Sequence, residues 1–347
     1  MQDEPIARML ACAVLIAAVQ LLATPQQNVS AQADDRRLLG FAAAYPLTYD
    51  QIPVIAAHGF SWLTPENVMK MDTIGGCNGS LNFGPADELI SIASDLGMSV
   101  HGHTLVWHSQ TSWCANQFSQ ADFVWYVQSV ASHFCGRVAS MDVVNEALGR
   151  SAGFRSMDES VWARLFQGND YIQVAFRAAR EACPQMKLYY NDFGIEWGRK
   201  SREMLELVSE LNREGLIDGV GFQAHFHIDR IDFGHFARTL DAVIDMGLEI
   251  AVSELDVRFG RNHWDLSESD LEAQATVYNR LAQLCLERPQ CKRFTVWGLD
   301  DGTSWINYWY EFGAFDDAPL LFDRNWLPKP AYCTGVRPVF DLPNGKC

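Results

Sequence analysis

Two glutamates, Glu146 and Glu254, offer the clearest chemistry in this sequence of 347 residues, because each ends or closes a short apolar run. The runs cover residues 141–146 and 250–256, and their composition is typical of buried strands. A carboxylate at the end of a buried strand is unfavourable unless it is paired, hydrogen-bonded or open to a cleft. We therefore predict that the two carboxylates share one cleft, an arrangement that can cleave a glycosidic bond.

Eight apolar runs, interpreted as strands, alternate with amphipathic stretches and form the frame that must position the two glutamates. The predicted strands cover residues 38–43, 60–63, 99–106, 140–144, 187–190, 220–224, 249–253 and 293–297. The predicted helices include residues 123–134, 161–182, 202–213, 236–246 and 271–286, the last with a capping-box pattern at Ser269 and Glu272. Alternating strands and helices predict parallel βαβ units. Eight such units favour one closed (β/α)8 TIM barrel over an open doubly wound sheet, whose Gly-rich phosphate turn the sequence lacks.

Polar side chains cluster near the predicted ends of seven of these strands. Active residues of such barrels lie at that rim, because the strand ends and the loops after them face the same side. One polar residue at a strand end usually caps the next helix. Seven clusters on one rim instead predict an active site. The clusters are Glu66 and Asn67, His103 and His108, Asn145 and Glu146, Asn191 and Asp192, Gln223 and His225, Glu254 and Asp256, and Asp300 and Asp301.

The overall charge limits the classes of partner. The formal net charge is −16, and nucleic-acid binding requires a basic face, so we predict no nucleic-acid partner. A hydrophobic fraction of 48% is ordinary for a globular protein. No spacing of Cys or His residues resembles a closed zinc site, and we predict neither a metal ion nor a cofactor.

The first 33 residues resemble a secretion signal. Arg8 precedes an apolar stretch over residues 9–23, which is too short to span a bilayer comfortably but suits a signal-peptide core. Ala31-Gln-Ala33 is a small-x-small cleavage pattern before Asp34. We predict a signal peptide over residues 1–33, one catalytic domain over residues 34–347, and an extracellular protein with no stable membrane association after cleavage. A membrane anchor is the alternative.

Nine cysteines support export to an oxidising compartment. Cys12 lies in the predicted signal, which leaves an even number in the mature chain. Cys285 and Cys291 flank the end of a predicted helix and are expected to form a local disulfide, and Cys333 and Cys347 could join the C-terminus. The pairing of the remaining four stays open; they are Cys77, Cys114, Cys135 and Cys183.

An ordered series of short motifs resembles glycoside hydrolase family 10, the endo-β-1,4-xylanases. The motifs are Thr64-Pro-Glu-Asn67 with Met69-Lys70, Gly102-His-Thr-Leu-Val-Trp-His-Ser-Gln110, Asp142-Val-Val-Asn-Glu-Ala147, Tyr190-Asn-Asp192, Gly221-Phe-Gln-Ala-His225, Ser253-Glu-Leu-Asp256, Thr295-Val-Trp-Gly298 and Ser304-Trp305. Each motif alone is weak, but their order is specific. The resemblance implies a retaining endo-β-1,4-xylanase that acts on xylan or xylooligosaccharides, and we expect a monomer.

The resemblance also implies different roles for the two glutamates. Glu146 resembles the general acid/base, and Asn145 resembles the residue that hydrogen-bonds the 2-hydroxyl of the reacting sugar. Glu254 resembles the nucleophile, with His225 and Asp256 as its support. A covalent intermediate implies carboxyl groups about 5–5.5 Å apart. In isolation, Asn145 and Glu146 would read as a helix N-terminus and His225 as a core histidine.

The same resemblance assigns sugar-binding roles to residues around the pair. Carboxylate, amide, ammonium and imidazole groups together suit the hydroxyls of a sugar, and indole rings suit its apolar faces. The implied residues are Glu66, Asn67, Lys70, His103 and Trp107 in the glycone pocket, Gln110 at its edge, Gln223 opposite Glu254, Trp297 and Trp305 at the cleavage point, and Tyr190 and Asn191 on the leaving-group side.

Some positions depart from the family pattern. Met71 and Met141 stand where the family commonly has Trp, and Val68 stands where it usually has Glu. Met can fill such core space, so we expect altered support rather than lost activity. Residues 306–318 are rich in aromatic side chains and are expected to form a loop over the cleft.

Three alternatives remain open at this point. A member of the same family could cleave a different β-glycoside, such as a cellooligosaccharide or a plant glycoconjugate. A metal-dependent barrel hydrolase could use a set of histidines with an aspartate, but its His-x-His pair would belong on the first strand rather than the third. A catalytically silent barrel would be expected to lack one catalytic carboxylate, and both are present. The residues of the metal alternative are His101, His103, His108, His225, His227 and Asp300.

Overall fold

A computed structural model describes residues 38–47, 51–309, 315–343 and 347, so the predicted signal peptide lies outside the described residues. The strands are β1 (Leu39–Ala43), β2 (Trp62–Pro65), β3 (Ser99–Gly102), β4 (Val106–Trp107), β5 (Ser140–Asn145), β6 (Lys187–Asp192), β7 (Gly219–Phe222), β8 (His225–His227), β9 (Glu249–Arg258) and β10 (Cys291–Val296). The α-helices are α1 (Gln51–Ala57), α2 (Met71–Ile74), α3 (Gly84–Asp95), α4 (Gln120–Phe134), α5 (Val161–Phe166), α6 (Asp170–Ala182), α7 (Gly198–Arg213), α8 (Phe233–Ile244) and α9 (Glu268–Leu286). Over these described ranges no helix is long and apolar enough to cross a membrane.

Eight parallel strands close into a barrel. In hydrogen-bonding order they are β1, β2, β3, β5, β6, β7, β9 and β10, and β10 pairs with both β9 and β1 to complete the ring. The short strands β4 and β8 follow β3 and β7 and pair with β5 and β9. The predicted (β/α)8 barrel is confirmed, and the carboxyl ends of its strands meet on one face.

One predicted strand is interrupted at this face, and another ends two residues earlier than predicted. The run 99–106 ends as β3 and resumes as β4, and a similar gap separates β7 from β8. In the first gap His103 places its Nδ1 2.9 Å from Asp142 Oδ2 on β5. In the second gap Ala224 takes a left-handed backbone conformation with φ 57°. Within each gap, successive side chains do not have to point to opposite faces as they do in a strand.

The stretch 161–182 was predicted as one helix but forms two, α5 and α6. Gln167 adopts a left-handed conformation with φ 56°, and the Gly168 amide donates to the Ala163 carbonyl at 3.0 Å. This C-terminal motif ends α5 before α6 begins. Hydrophobic periodicity alone does not reveal such a break, because both helices bury an apolar side.

The predicted capping box of α9 was also wrong by two residues. The helix begins earlier, and its capping box uses Ser267 and Asp270 instead of Ser269 and Glu272. The Asp270 amide donates to Ser267 Oγ at 3.3 Å, and the Ser267 amide donates to Asp270 Oδ2 at 2.8 Å. Both pairs fit the sequence pattern, so only the backbone could decide between them.

Four disulfides join elements of the described chain. The two predicted pairs, Cys285–Cys291 and Cys333–Cys347, are present. The sequence did not decide the pairing of the other four cysteines. They form Cys77–Cys114, which joins the loops after β2 and β4, and Cys135–Cys183, which joins the ends of α4 and α6.

The residues that depart from the family pattern lie in the core. Met71, Met141 and Val68 are all buried. The thioether of Met141 lies where a side chain at Gly102 would be, so the absence of a Cβ at Gly102 makes room for it. Met therefore fills core space at these positions, as predicted.

Candidate active site

A cleft of about 840 Å³ opens at the face where the strands end. Glu146, directly after β5, and Glu254, within β9, both line it. The other predicted site residues that line it are Glu66, Asn67, Lys70, His103, Trp107, Gln110, Asn145, Gln223, His225, Trp297 and Trp305.

Glu146 takes a left-handed backbone conformation, φ 56°, immediately after β5. Because L-residues rarely adopt this conformation, the surrounding contacts must hold it. Its amide donates to the Asn191 carbonyl at 2.9 Å, and its carbonyl accepts from Arg155 Nε at 2.7 Å. Its carboxylate accepts from Gln223 Nε2 at 3.1 Å and from Arg155 Nη2 at 3.4 Å. The turn thus fixes this carboxyl group in the cleft.

Two opposing effects set the charge of Glu146. Burial raises the pKa of this carboxyl, but His108, Gln223 and Arg155 favour the carboxylate and hold the pKa below its ordinary value. Burial also lowers the pKa of His108, 3.8 Å away, to about 4, so that imidazole is neutral near pH 7 and attracts the carboxylate little there. A sugar that covers the cleft excludes water and strengthens the effect of burial, which favours a protonated Glu146.

Glu254 is held by hydrogen bonds at both carboxylate oxygens. Asn191 Nδ2 donates to Oε1 at 2.6 Å, and His225 Nε2 lies 3.2 Å from Oε2. The other imidazole nitrogen lies 2.7 Å from Asp256 Oδ2, which also accepts from the Trp305 indole N–H at 2.9 Å. The structure therefore places His225 between Glu254 and Asp256, and these bonds hold both carboxylate oxygens of Glu254 in a fixed position.

His225 carries a positive charge at neutral pH. Burial lowers its pKa, but the Asp256 and Glu254 carboxylates outweigh burial and raise the pKa of this imidazole to about 10. The cation offsets the repulsion between the two buried carboxylates.

We expect His225→Gln to reduce stability in a pH-dependent manner. Because the folded-state pKa lies above the ordinary 6.5, the stabilisation is complete below about pH 6.5 and is lost as the pH rises through about 10. Urea unfolding of the two proteins should show a difference on the order of a few kcal/mol at pH 6 that shrinks toward pH 10. A difference that is constant across this range would contradict the cationic state.

Three amide side chains connect the two glutamates. Asn145 Oδ1 accepts from Asn191 Nδ2 at 3.0 Å and from Gln223 Nε2 at 3.1 Å. The same two amide groups donate to Glu254 and Glu146. Both bonds of Asn145 use its oxygen, so its N–H donors are available for a ligand hydroxyl in the cleft.

A buried lysine organises the predicted glycone pocket. Lys70 Nζ donates to Asn67 Oδ1 at 3.0 Å and to Gln110 Oε1 at 2.8 Å, and it lies 4.7 Å from the centre of the Trp107 ring. Burial lowers the pKa of Lys70 and raises that of Glu66, and the charge of each opposes the shift of the other. Donors and acceptors at fixed positions suit the hydroxyls of one sugar ring.

Asp142 orients His103 from beneath the cleft. His103 Nδ1 lies 2.9 Å from Asp142 Oδ2, and His101 Nε2 lies 3.0 Å from Oδ1. Burial favours the neutral acid, but the two imidazoles hold the pKa of Asp142 well below its usual range. His103 also packs edge-on against Trp297, with ring centres 5.1 Å apart. The His-x-His pair of the metal alternative thus contacts a carboxylate, and no group of His, Cys, Asp and Glu in the described part of the chain could hold a metal ion.

The sequence matches one family model over most of its length. The model, described as glycosyl hydrolase family 10, matches residues 28–338. The chain belongs to glycosyl hydrolase family 10.

Three xylanases are similar to this family 10 chain over most of their length. Endo-1,4-beta-xylanase B of Thermotoga neapolitana is 38% identical over 289 residues, which is 80% of each chain. The structure of native xylanase 10B from Thermotoga maritima has a TM-score of 0.81 and 35% identity, and the match covers 88% of this chain and 96% of that one. Xylanase 10B from Thermotoga petrophila RKU-1, in complex with xylobiose, has a TM-score of 0.81 and 34% identity, with coverages of 88% and 94%. The predicted family is confirmed.

One predicted binding residue of the family 10 chain does not reach the cleft. Tyr190 on β6 is completely buried, and its hydroxyl donates to Asp192 Oδ2 at 2.5 Å. The expected contact of Tyr190 with the leaving group was therefore wrong. Successive side chains of a strand face opposite sides, so Asn191 faces the two glutamates while its neighbours Tyr190 and Asp192 face away.

A buried ion pair behind Glu146 was not predicted. Lys200 Nζ lies 2.7 Å from Asp192 Oδ1, and both side chains are buried. Burial and the charge of Glu146 raise the pKa of Asp192 to about 6, while Lys200 opposes this rise. Lys200 lies in the first turn of α7, where sequence alone indicates an exposed lysine.

We expect Lys200→Met to destabilise the protein by about 3–5 kcal/mol at pH 8, because it leaves Asp192 buried without its counter-charge. The loss should be smaller at pH 5, where a carboxyl whose pKa is raised to about 6 is mostly protonated. Urea unfolding at both pH values measures this. Lys187→Met, at a half-exposed lysine near Asp218 and Glu249, should cost only about 0–1 kcal/mol. Equal losses for both variants would contradict the prediction.

Aromatic side chains after β6 and within β8 form part of the cleft wall and were not predicted. Phe193, Trp197 and Phe226 line the cleft, and the rings of Trp197 and Phe226 stack with centres 5.5 Å apart and planes within 12°. Phe193 and Trp197 follow the Tyr190-Asn-Asp192 motif closely, so their position beside a rim motif was a usable signal.

The loop predicted over the cleft is described in part. Tyr308 and Trp309 line the cleft beside Trp305. Residues 310–314 lie outside the described residues.

Proposed function

We propose that this family 10 protein is a retaining endo-β-1,4-xylanase with Glu146 as general acid/base and Glu254 as nucleophile. The observation that carries this proposal is that two carboxyl groups share one open cleft in different surroundings. Glu254 is beside a cationic imidazole, whereas Glu146 contacts an amide and the edge of a guanidinium. A sugar in the cleft excludes water from Glu146 and favours its protonated form, which is the form that a proton donor needs.

In the first step the protonated carboxyl of Glu146 gives its proton to the glycosidic oxygen as the bond between this oxygen and C1 breaks. A carboxylate oxygen of Glu254 attacks C1 and forms a glycosyl ester. The N–H donors of Asn145 bind the 2-hydroxyl of the sugar. Three amides that connect the two glutamates keep their relative positions during this step.

In the second step water attacks C1 of the ester and gives a proton to the Glu146 carboxylate. The ester bond breaks, and Glu254 returns to the carboxylate state beside the His225 cation. Two inversions at C1 give net retention of the β configuration. Glu146 is again protonated and ready for the next cycle.

Xylan and xylooligosaccharides are the proposed substrates. The matched relatives carry xylanase names, and one related structure contains xylobiose. The pocket around Lys70 offers hydrogen-bond donors and acceptors that suit the hydroxyl groups of a sugar, and Trp297 supplies an apolar face. An open cleft, rather than a closed pocket, suits attack within a polymer.

A substrate panel tests this proposal. Linear xylan and xylohexaose should release short xylooligomers, while carboxymethylcellulose and cellohexaose should react far more slowly. Proton NMR should show the β anomer as the first product. An α anomer would indicate inversion, faster cleavage of cellohexaose would favour the other β-glycosidase, and loss of activity with a chelator would favour the metal-dependent enzyme. No hydrolysis of any substrate would indicate a silent barrel.

We also propose that the protein is exported and acts as a monomer. Four disulfides support an oxidising compartment, and one chain supplies every side chain of the proposed mechanism. Expression with its own leader should yield a protein that begins at Asp34 and has the mass of one chain by light scattering. A retained leader or a dimer would contradict this.

A further inference from the structure

The cleft is more cationic than the rest of the chain. Among all residues, 27 Lys and Arg oppose 43 Asp and Glu, but the cleft is lined by five Lys or Arg and four Glu. Two of these cations, Arg230 and Arg258, lie on the leaving-group wall, which we define as Phe193, Trp197, Phe226, Arg230 and Arg258. This wall lies at the carboxyl ends of β6, β8 and β9, across the barrel from the glycone pocket at the ends of β2 and β4.

The backbone holds the two arginines close together. Arg258 ends β9, directly beside His227 of β8 in the parallel ladder, and the Ile228 amide donates to the Arg258 carbonyl at 3.0 Å. The Arg230 amide donates to the His227 carbonyl at 2.9 Å. Both arginines therefore start from ordered backbone at one edge of the cleft.

Charges of the same sign meet at this edge. Burial lowers the pKa of Arg258, and the positive charge of Arg230 lowers it further, while Asp256 and Asp317 oppose both effects. Both carboxylates also bind other groups. Asp256 binds His225 at 2.7 Å, and Asp317 accepts the Phe259 and Gly260 amides at 3.1 and 2.7 Å.

Arg230 is exposed and forms no ion pair with a carboxylate of the described residues. Asp229, its neighbour, is 81% exposed and lies 3.9 Å from His227 instead. An exposed guanidinium beside a second one, at the edge of a substrate cleft, is a site for an anion.

We propose that Arg230 and Arg258 bind the carboxylate of a uronic acid substituent on the xylan chain, on the leaving-group side of the cleavage point. This inference rests on the proposed function. A guanidinium matches a carboxylate through paired N–H donors, and the stacked rings of Trp197 and Phe226 supply an apolar surface for the neighbouring sugar. A protein with a net charge of −16 repels an acidic polymer at long range, so a local cationic edge favours productive binding.

The test compares kcat/KM for neutral xylohexaose with that for xylooligosaccharides that carry one glucuronosyl group. The wild-type ratio of acidic to neutral substrate should exceed 1 at low ionic strength and should fall as salt is added. Arg230→Gln should lower this ratio about three- to tenfold, Arg258→Gln should also lower it, and Arg230→Lys should restore part of it. An oligosaccharide with one arabinosyl group serves as the neutral branched substrate and should show no such dependence.

Arg261→Gln is the matched control. Arg261 lies three residues beyond Arg258, pairs with Asp270 and does not line the cleft, so its loss should not change the ratio. The protein could hydrolyse neutral xylohexaose while Arg230→Gln and Arg258→Gln leave the acidic-to-neutral ratio unchanged. That result would overturn this inference alone. If neutral xylohexaose is not hydrolysed, the proposed function itself fails. The two variants could instead lower kcat/KM equally for the arabinosyl and the glucuronosyl substrate. The arginines would then bind branches without regard to charge, which would also overturn the inference.

Discussion

Glu254→Gln should lower kcat on xylan on the order of 10⁴- to 10⁶-fold, because the amide cannot form the glycosyl ester. The substitution keeps the size of the side chain, so the cleft should still bind xylohexaose, as calorimetry can show. In Glu254→Ala, added azide should enter the space of the lost carboxylate and attack C1 in a single displacement. The product should therefore be the α-xylosyl azide, identified by NMR.

Glu249→Gln is the control for this prediction. Glu249 lies on the same strand β9 but accepts from the Tyr189 hydroxyl at 2.7 Å and does not line the cleft. This variant should keep most of the wild-type activity. Substantial activity of pure Glu254→Gln on xylan, or a β-azide from Glu254→Ala, would contradict the nucleophile assignment.

Glu146→Ala should lower kcat on xylan about 10²- to 10⁴-fold, because the leaving oxygen receives no proton. For a dinitrophenyl xylobioside the rate of the first step should fall only slightly, because its leaving group needs no proton. The second step should then be slow without a base, so stopped-flow absorbance should show a burst of one phenolate per active site. Azide should speed turnover and give the β-azide, since it attacks the glycosyl ester.

Glu159→Ala is the corresponding control, since Glu159 is exposed and binds Ser156 at the surface. It should behave like the wild type with both substrates. Equal losses of Glu146→Ala on xylan and on the activated glycoside, without a burst, would mean that Glu146 does not transfer the proton.

The sequence brought together residues that lie at, or directly after, the end of a predicted strand. Asn145 with Glu146, Gln223 with His225, and Glu254 are far apart in the chain but adjacent in the cleft. In a parallel barrel every strand ends at the same face, so a position at a strand end predicts a position in space. The eightfold pattern of strands therefore supports the prediction that these residues share one site.

Residues that depend on the path of a loop were not predicted. Arg155 lies nine residues after Glu146 and returns to bind both its carbonyl and its carboxylate. Lys200 reaches Asp192 from the start of α7. Local periodicity carries no information on how a loop turns back, so neither contact has a sequence signal.

Adjacent residues of one strand also face different surroundings. Asn191 contacts Glu254 while Tyr190, one residue earlier, is buried on the other side of β6. A motif names both residues without stating which faces the cleft, because its register in the barrel depends on the neighbouring strands.

From its sequence alone, this chain could be assigned its barrel, its two glutamates and the ordered set of family 10 motifs. These follow from local patterns: strand and helix periodicity, and polar residues at strand ends. The tertiary structure decided the charge of the imidazole beside Glu254, which aromatic rings form the wall, and where Arg230 and Arg258 meet. Those features depend on distances between side chains from separate loops and strands, and such distances arise only when the barrel closes.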